Sequence, residues 1–292
     1  MLANQRAFDL KEIFLQDCKY RNLSPATLKD YNWFLTDLAN NIGELYQITR
    51  QDVKAFVLKK LEEKQSPASV NHYIRALKAL FSFLHREGHI ESNVMAGLSL
   101  ISMPEKLKPV LDPNGISRLL SAIPEGGFFR VRDRTMILTL WDTAMRLNEL
   151  LNIKLGDIDL RSGTIKLTGK GRKDRIVPLG LKVKRELVRY LNLRGESQSE
   201  YLFSTLTGYQ IGHRNFRRSL ANYGKRVGLM VSPHLLRHSA ATFLAKSEMP
   251  AQHIQILLGH SSLAVTQNYI NRIVAQEGLQ ISHRRLSPGD RI

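Results

Sequence analysis

The chain of 292 residues has one cysteine, few acidic residues and no long apolar run. A single cysteine excludes an internal disulfide and a cysteine-rich zinc site, and it is typical of a protein from a reducing, intracellular compartment. No segment approaches the roughly 20 consecutive apolar residues of a membrane-spanning helix, and the charged first residues are unlike a signal peptide. We therefore expect a cytoplasmic protein without a membrane partner.

Acidic residues number 26 against 43 basic ones, which gives the chain a net charge of +17. Such an excess attracts polyanions by counterion release and electrostatic steering; a basic surface that serves only solubility is the alternative. The charge is uneven, because residues 1–102 carry +2 and residues 103–292 carry +15. Length and asymmetry together predict two domains, residues 1–102 and 113–292, joined by a linker of mixed proline and charge at residues 103–112.

The first domain is predicted to be helical throughout. Three helix starts carry N-cap residues: two of these caps precede a proline in the first turn, and one forms a capping box with Asp in place of Glu. They are Ser24-Pro25, Ser66-Pro67 and Thr49 with Asp52. Apolar residues at helical spacing predict four main helices, and a short fifth helix is expected near residues 93–98.

The second domain is predicted to be mostly helical with one small antiparallel sheet. Helices are expected at residues 132–141, 147–153 and 183–191, and helical spacing returns after His213. Residues 158–179 differ, because they alternate with period two around turns near 161–163 and 169–174. This pattern predicts a β-meander.

The sequence lacks the signatures of several enzyme classes. It has no Walker A loop, and Gly169-Lys170-Gly171 is too short for a dinucleotide-binding fingerprint. No Gly-x-Ser-x-Gly elbow is present. His234 and His238 have the spacing of a helical zinc pair, but Leu235 stands where a metalloprotease carries its Glu. We therefore expect neither a cofactor nor a metal.

The remaining candidates are dispersed side chains, each of which alone is more typical of packing, capping or a solvated surface. They fall in four segments, in this order: residues 142–150 with Arg146 and Glu149, the hairpin of residues 168–179 with Lys170, His234-Leu235-Leu236-Arg237-His238, and Leu258-Gly259-His260 followed by Thr266 and Tyr269. Together these segments closely resemble the motifs of the tyrosine recombinase (phage integrase) family, particularly its compact Xer-like members. Ala144 and Asn148 depart from the common pattern, in which Gly and Ser are frequent.

The resemblance implies a mainly α protein. It implies a helical N-terminal core-binding (SAM-like) domain and a mixed α/β catalytic domain with a small antiparallel β-meander. The implied function is that of a site-specific DNA recombinase, which cleaves and rejoins DNA through a covalent 3′-phosphotyrosine and exchanges strands through a Holliday junction in a homotetramer. The implied catalytic residues are Tyr269, Arg146, Lys170, His234, Arg237, His260 and, in a supporting position, Glu149.

Elementary chemistry accounts for these residue types. A tyrosine with a pKa of about 10 is only ~0.1% ionised at pH 7, and a cationic pocket favours its phenolate. Two arginines can hold the non-bridging phosphate oxygens bidentately. Lys170 is the expected acid for the leaving 5′ oxygen, and the two histidines are expected to bond the phosphate. Glu149, one turn after Arg146, is expected to orient Arg146 or His234.

Double-stranded DNA is the expected partner, and the family resemblance implies that the first domain completes a clamp around it. The candidate DNA contacts are Lys29, Lys54, Lys59, Arg75 and Lys78, with Arg172 and Lys173 from the hairpin; a solvated helix face is the alternative for each of the first five. By the same resemblance, residues 270–292 are expected to pack on a neighbouring protomer and to regulate cleavage. A frayed basic terminus is the alternative there.

Two other functions remain open from the sequence. One is a type IB topoisomerase, which uses the same nucleophile to relax DNA, and the other is a DNA-binding protein that does not cut. The compact two-domain layout favours recombination, and the intact set of six residues argues against a protein that does not cut. Chromosome dimer resolution, phage or plasmid integration and transposon movement share this chemistry; the length favours a Xer-like, plasmid or mobile-element recombinase.

Overall fold

The computed structural model describes residues 2–42, 47–103, 109–168, 174–195 and 199–259, together with residues 262, 264, 267 and 270. The chain divides into two compact units, Met1–Leu107 and Lys108–Ile292. Among the described residues, the first unit is helical and the second combines helices with one antiparallel sheet. This architecture confirms the predicted mainly helical fold with a small antiparallel sheet.

Four helices are described in the first unit: α1 Leu2–Tyr20, α2 Pro25–Ile42, α3 Arg50–Glu62 and α4 Pro67–Arg86. The predicted caps are present. The Thr49 side chain accepts a hydrogen bond from the backbone N–H of Asp52, and the Asp52 carboxylate accepts one from the Thr49 N–H at 2.8 Å. Ser66 caps α4 by accepting from the Ser69 N–H at 3.1 Å. These bonds satisfy backbone donors that the first helical turn leaves open.

The prediction of a short fifth helix near residues 93–98 is wrong. The chain forms successive turns there, with hydrogen bonds from the Ala96 N–H to the Asn93 carbonyl and from the Leu98 N–H to the Met95 carbonyl. The Asn93 side chain also accepts from the Met95 N–H at 2.9 Å. A side chain that bonds its own downstream backbone competes with helix formation.

A polar cluster lies inside the first unit. The Lys60 ammonium, only 7% exposed, pairs with the Asp37 carboxylate at 2.9 Å, and the Tyr73 hydroxyl donates to the same carboxylate at 2.8 Å. Lys60 Nζ also lies over the rings of Phe56 and Tyr73, 5.2 and 5.6 Å from their centroids. These contacts join α2, α3 and α4, and a buried charge is tolerated because it is paired.

Seven helices and three strands are described in the second unit. The helices are α5 Pro113–Ser121, α6 Phe128–Thr143, α7 Leu147–Leu151, α8 Leu181–Arg194, α9 His213–Arg226, α10 Pro233–Lys246 and α11 Ala251–Leu258. The strands are β1 Ile158–Asp159, β2 Thr164–Thr168 and β3 Asp174–Pro178. Within the described ranges no helix is both long enough and apolar enough to cross a membrane.

The three strands form the predicted meander in the order β1-β2-β3. Thr168 at the end of β2 is paired with Asp174 at the start of β3. Ile165, Leu167 and Val177 are buried while their neighbours along each strand are more exposed, as alternation across a one-sided sheet requires. The predicted turn between β2 and β3 lies outside the described residues.

Helix α6 runs through the core of the second unit and packs against α8 and α10. Three buried threonines on it each bond the carbonyl four residues earlier, at 2.6 to 2.8 Å: Thr135, Thr139 and Thr143. These bonds satisfy hydroxyl groups that would otherwise be buried without a partner. The helix ends at Ala144, which adopts a left-handed conformation with φ 51° and ψ 22°.

The residues just before α5 pack into the second unit. Leu111 is 8% exposed, and its N–H donates to the Ser239 hydroxyl on α10 at 2.9 Å. The Asp112 carboxylate caps α5 by accepting from the Gly115 N–H at 2.7 Å. The last two residues of the segment predicted as a linker therefore form part of this unit, and residues 104–108 lie outside the described residues.

Candidate active site

The turn between α6 and α7 places Arg146 beside Glu149. Arg146 is the N-cap of α7, and the Glu149 carboxylate accepts its backbone N–H at 2.7 Å and its Nη1 at 3.1 Å. The Arg146 side chain is 47% exposed, whereas Glu149 is 8% exposed. The carboxylate therefore binds this arginine while the guanidinium remains accessible from solvent. Arg146 is one of the two residues, with His234, that Glu149 was expected to orient.

Arg237 on α10 is buried, with 7% of its surface exposed. Its Nη1 donates to the carbonyl of Ala144 at 2.8 Å, and its Nη2 donates to the carbonyl of Leu258 at 2.7 Å. Burial, reinforced by the positive charge of Arg146, lowers the pKa of Arg237 to about 10 from 12.5, although Glu149 acts in the opposite direction. Arg237 stays protonated at neutral pH, in a place where positive charge is crowded.

A third arginine, Arg175 on β3, belongs to the same cluster, and the sequence analysis did not assign it. Its Nη1 and Nη2 donate to the two oxygens of Glu149 at 2.9 and 2.8 Å, in a bidentate pair. Its side chain is 11% exposed. The only sequence signal was its place in the hairpin segment that carries Lys170, since its partners lie 26 and 82 residues away along the chain.

The carboxyl end of α11 is bound by all three arginines. The last carbonyl groups of a helix have no partner within the helix, and a cation at that end is favoured by the helix dipole. Here three consecutive carbonyls each accept from a different arginine: Leu257 from Arg175 at 3.3 Å, Leu258 from Arg237 at 2.7 Å and Gly259 from Arg146 at 3.4 Å. Because consecutive residues are 3.8 Å apart, the three guanidinium groups lie close together.

The charge of this cluster is positive. Burial alone would raise the pKa of Glu149, but the hydrogen bonds from Arg175 and from the Arg146 backbone, with the charges of both arginines, hold that pKa below its ordinary value of 4.5. Glu149 is therefore ionised and offsets one of three arginine charges. The remaining positive charge, next to the exposed Arg146 guanidinium, suits an anion with several oxygen atoms.

His234 stands in the first turn of α10, one turn before Arg237. Pro233 begins the helix, and the Ser232 hydroxyl caps it by accepting from the Leu235 N–H at 3.1 Å. His234 is exposed, and with His238 it lines an open, mostly apolar cavity of about 730 Å³ that Met230 and Lys225 also border. Within the described residues no three His, Cys, Asp or Glu side chains are placed to hold a metal ion.

Several predicted site residues lie outside the described residues. They are Lys170, Arg172 and Lys173 of the hairpin turn, and His260 and Tyr269 of the last motif. Most of the C-terminal segment predicted to regulate cleavage also lies outside the described residues. The structure brings together Arg146, Glu149 and Arg237, and it ends α11 one residue before Gly259 and two before His260 in the sequence.

Helix α9 carries a basic surface that the sequence analysis did not single out. The helix has no acidic residue, and Arg214, Arg217 and Arg218 are exposed at helical spacing on it. The His213 ring at its start bonds the Asn148 side chain at 3.0 Å, which fixes α9 next to α7. Burial, followed by the charge of Arg217, lowers the pKa of His213. The exposed arginines of α9 thus lie on a helix that packs against α7, the helix that carries Glu149.

The candidate DNA contacts of the first unit are spread over three helices. Lys29 lies on α2, Lys54 and Lys59 on α3, and Arg75 and Lys78 on α4. All are exposed except Lys78, which is half-buried. Lys59 donates to the Asn41 side chain at 2.9 Å, and Lys54 lines a cavity of about 390 Å³ with Arg50.

Models of two protein families match the chain. The model of the phage integrase family matches residues 109–275, and the model of the phage integrase N-terminal SAM-like domain matches residues 12–88. The first match includes Arg146, Arg175, Arg237 and the segment that follows α11. The second covers most of the helical first unit.

Similar proteins cover most of the chain. Tyrosine recombinase XerC of Salmonella typhi is 33% identical over 258 residues, 85% of this chain and 86% of that protein. Tyrosine recombinase XerD of Proteus mirabilis is 30% identical over 285 residues, 92% of this chain and 89% of that protein. Among solved structures, the XerH site-specific recombinase bound to palindromic difH substrate as a post-cleavage complex has the same fold, with a TM-score of 0.75 at 22% identity over 95% of this chain and 84% of that one.

Proposed function

The chain belongs to the phage integrase family of tyrosine recombinases, and from that premise we propose which of its residues cut and rejoin DNA. It is a site-specific recombinase, because its relatives at about 30% identity over most of its length are XerC and XerD recombinases. The observation that carries the assignment of residues is the arginine cluster. Arg146 and Arg237 are bound to adjacent carbonyls at the end of α11, just before the segment that contains His260 and Tyr269.

Arg146 and Arg237 bind the non-bridging oxygens of the scissile phosphate. Both guanidinium groups are anchored on one side, Arg146 by Glu149 and Arg237 by the carbonyls of Ala144 and Leu258. Anchoring fixes the donors before the phosphate arrives, so they stabilise the charge that gathers on phosphorus without reorganising. Each donor aimed at that charge contributes on the order of 3 kcal/mol, by analogy with a single oxyanion-hole donor.

Tyr269 is the nucleophile, and its phenolate is favoured by the positive charge around it. Its attack on phosphorus forms a 3′-phosphotyrosine and releases the 5′ oxygen, which takes a proton from Lys170. His234 and His260 donate hydrogen bonds to the phosphate. Because the covalent bond conserves the energy of the phosphodiester, rejoining needs neither ATP nor a metal.

DNA is the partner of both units. The second unit binds it through the arginine cluster and the basic face of α9, and the first unit, residues 1–102, closes on it as a core-binding domain through Lys29, Lys54, Lys59, Arg75 and Lys78, while Arg172 and Lys173 add contacts from the hairpin. Four protomers on two DNA sites exchange strands through a Holliday junction. The protein acts in the cytoplasm.

The test is the formation of a covalent protein–DNA complex without metal. Wild type, Tyr269→Phe and Tyr209→Phe are incubated in EDTA with DNA that flanks the gene, nicked so that cleaved intermediates are trapped. Tyr209 is the matched control, because it is 75% exposed and outside the four motifs. We expect an SDS-resistant complex with wild type and Tyr209→Phe and none with Tyr269→Phe, at equal DNA binding.

The position of the trapped nick identifies the target site. A complex that persists in Tyr269→Phe would show that another residue is the nucleophile. Binding to a mapped site without any covalent complex would favour a protein that binds DNA without cutting it. Relaxation of supercoiled DNA that lacks the mapped site would favour topoisomerase activity.

A further inference from the structure

Arg175 is the side chain through which the other parts of the cluster meet, and we infer that it is a positioning residue for DNA cleavage. It joins the carboxylate that holds Arg146 to the end of the helix from which the segment with Tyr269 departs. The inference rests on the proposed function, since it concerns the same reaction. In this inference Arg175 aligns Arg146, which binds the phosphate, with the segment that contains Tyr269. Arg175 itself does not contact DNA.

The first half of the alignment is the fixing of Glu149. Each carboxylate oxygen accepts two hydrogen bonds: Oε1 from Nη1 of Arg175 and Nη1 of Arg146, and Oε2 from Nη2 of Arg175 and the Arg146 backbone. A bidentate arginine–carboxylate pair holds the carboxylate plane in one orientation. When Arg175 holds the carboxylate in this orientation, the remaining lone pairs of Glu149 point at Arg146. The position of Arg146 therefore depends on Arg175.

The second half of the alignment is the contact between Arg175 and the end of α11. Nη2 of Arg175 donates to the Leu257 carbonyl at 3.3 Å, and the guanidinium lies over Gly259. A Cβ built on Gly259 would lie 2.9 Å from Nη1 and 3.0 Å from Cζ of Arg175, closer than side chains pack. Gly259 has φ +60°, a conformation that favours glycine. Arg175 therefore rests directly on the backbone of the residue before His260.

The conformation of Arg175 leaves one of its buried donors without an acceptor among the described residues. This donor is Nε, and a buried donor without a partner destabilises a fold. The side chain stands five residues after Lys170 in the sequence, on the strand that leaves the hairpin turn. One arginine thus links this strand, Arg146 and the last turn of α11.

The test compares Arg175→Lys with Arg134→Lys. Lysine keeps the charge but cannot hold two carboxylate oxygens and a carbonyl in the fork geometry of arginine. Arg134 is the matched control: it pairs with Glu186 at 3.4 Å and donates to the Leu120 carbonyl at 3.1 Å, and it is not part of the arginine cluster. The substrate is a nicked duplex that carries the mapped target site, used with the full chain.

We expect Arg175→Lys to slow single-turnover formation of the covalent complex by about 100-fold, as a displacement of catalytic groups by 1 Å does. Its dissociation constant for the same DNA stays within about 2-fold of wild type, because Arg175 is not assigned a DNA contact. Arg134→Lys keeps the wild-type rate. A wild-type rate in Arg175→Lys, an equal loss in Arg134→Lys, or a slowdown explained by weaker DNA binding overturns the inference.

Two further measurements separate positioning from general stability. If Arg175 acts through Glu149, the double variant with Glu149→Gln is no slower than the slower single variant, whereas independent roles give losses that multiply. Hydrogen exchange of the α11 peptide in the DNA-free protein rises in Arg175→Lys and not in Arg134→Lys. If wild type forms no covalent complex the proposed function fails, and unchanged exchange in Arg175→Lys overturns the positioning of α11 in either case.

Discussion

Arg175 occupies the space that a side chain on Gly259 would need. The separation between Nη1 of Arg175 and a Cβ placed on Gly259 would be 2.9 Å, and Gly259 has φ +60°. Two independent conditions therefore favour glycine at this position. Both follow from the way α11 ends beneath the guanidinium group.

Comparison of Gly259→Ala with Gly88→Ala separates the effect of the positive φ from the effect of the clash with Arg175. The positive φ alone destabilises an alanine by about 1 kcal/mol, and the clash displaces Arg175 as well, so we expect a larger loss of stability and a fall in cleavage rate of about tenfold or more. Gly88→Ala is the control, because Gly88 has φ +76° with nothing within 4 Å of a Cβ. It should lose about 1 kcal/mol with the cleavage rate unchanged. Thermal unfolding and single-turnover cleavage measure the two effects, and equal behaviour of the two variants would contradict the clash.

Glu149→Gln should destabilise the second unit in a pH-dependent way. The pKa of Glu149 lies below its ordinary 4.5 in the folded chain, so its carboxylate stabilises the fold above about pH 4.5 and loses this contribution as the pH falls through the folded pKa. Removing the charge from between two arginines costs about 3 kcal/mol near pH 7. The difference in the free energy of unfolding between wild type and Glu149→Gln should become smaller below pH 4.5.

Urea unfolding at several pH values, followed by the fluorescence of Trp141, gives this difference. The measurement uses a Trp33→Phe background, since the chain has two tryptophans and Trp33 lies in the first unit. A constant difference from pH 7 to pH 3 would mean that the charge of Glu149 does not contribute to stability.

The basic face of α9 should contribute phosphate contacts. Arg217 and Arg218 are exposed on a helix without acidic residues, and each phosphate contact contributes about 0.9 to the slope of log affinity against log salt. Replacing both by Gln should lower that slope by about 2 and weaken binding to any duplex. Arg185→Gln with Arg189→Gln on α8 removes the same charge from another exposed surface and should change the slope less. Equal changes would mean that only net charge matters.

The ion pair between Lys60 and Asp37 should stabilise the first unit. Lys60→Met leaves the Asp37 carboxylate, 28% exposed, without its cation, and we expect a loss of about 2 kcal/mol, below the value for a fully buried pair. Lys59→Met is the control, because Lys59 is exposed and bonds only the Asn41 side chain among the contacts described; about 0.5 kcal/mol or less is expected. Trp33 fluorescence in a Trp141→Phe background reports the unfolding. A loss equal to that of the control would show that the pair adds nothing.

The sequence predicted those features that depend on neighbours along the chain. Capping by Thr49 and Ser66 is determined within three residues, and the meander follows from alternation over five residues per strand. The short helix expected near residues 93–98 is not formed. Their turns depend on a bond from the Met95 N–H to the Asn93 side chain and on Gly97 with φ +70°, which periodicity does not report.

In the site, motif order identified Arg146, Glu149 and Arg237 but not Arg175. The contacts of Arg175 with Glu149 and Leu257 exist only after β3, α7 and α11 have packed, so no local pattern marks them. Ala144 shows the same limit. Its backbone is left-handed, with φ 51°, a conformation that favours glycine, and its carbonyl accepts from Arg237.

The three arginines that bind the end of α11 lie 113, 82 and 21 residues before the carbonyls that they hold. Closing loops of this length costs chain entropy, and the packing of the folded unit offsets that cost. An unfolded chain therefore lacks this arrangement of arginines, whatever its affinity for DNA. Because its parts come from α7, β3, α10 and α11, we expect the arginine cluster to be lost together with the tertiary structure of the second unit.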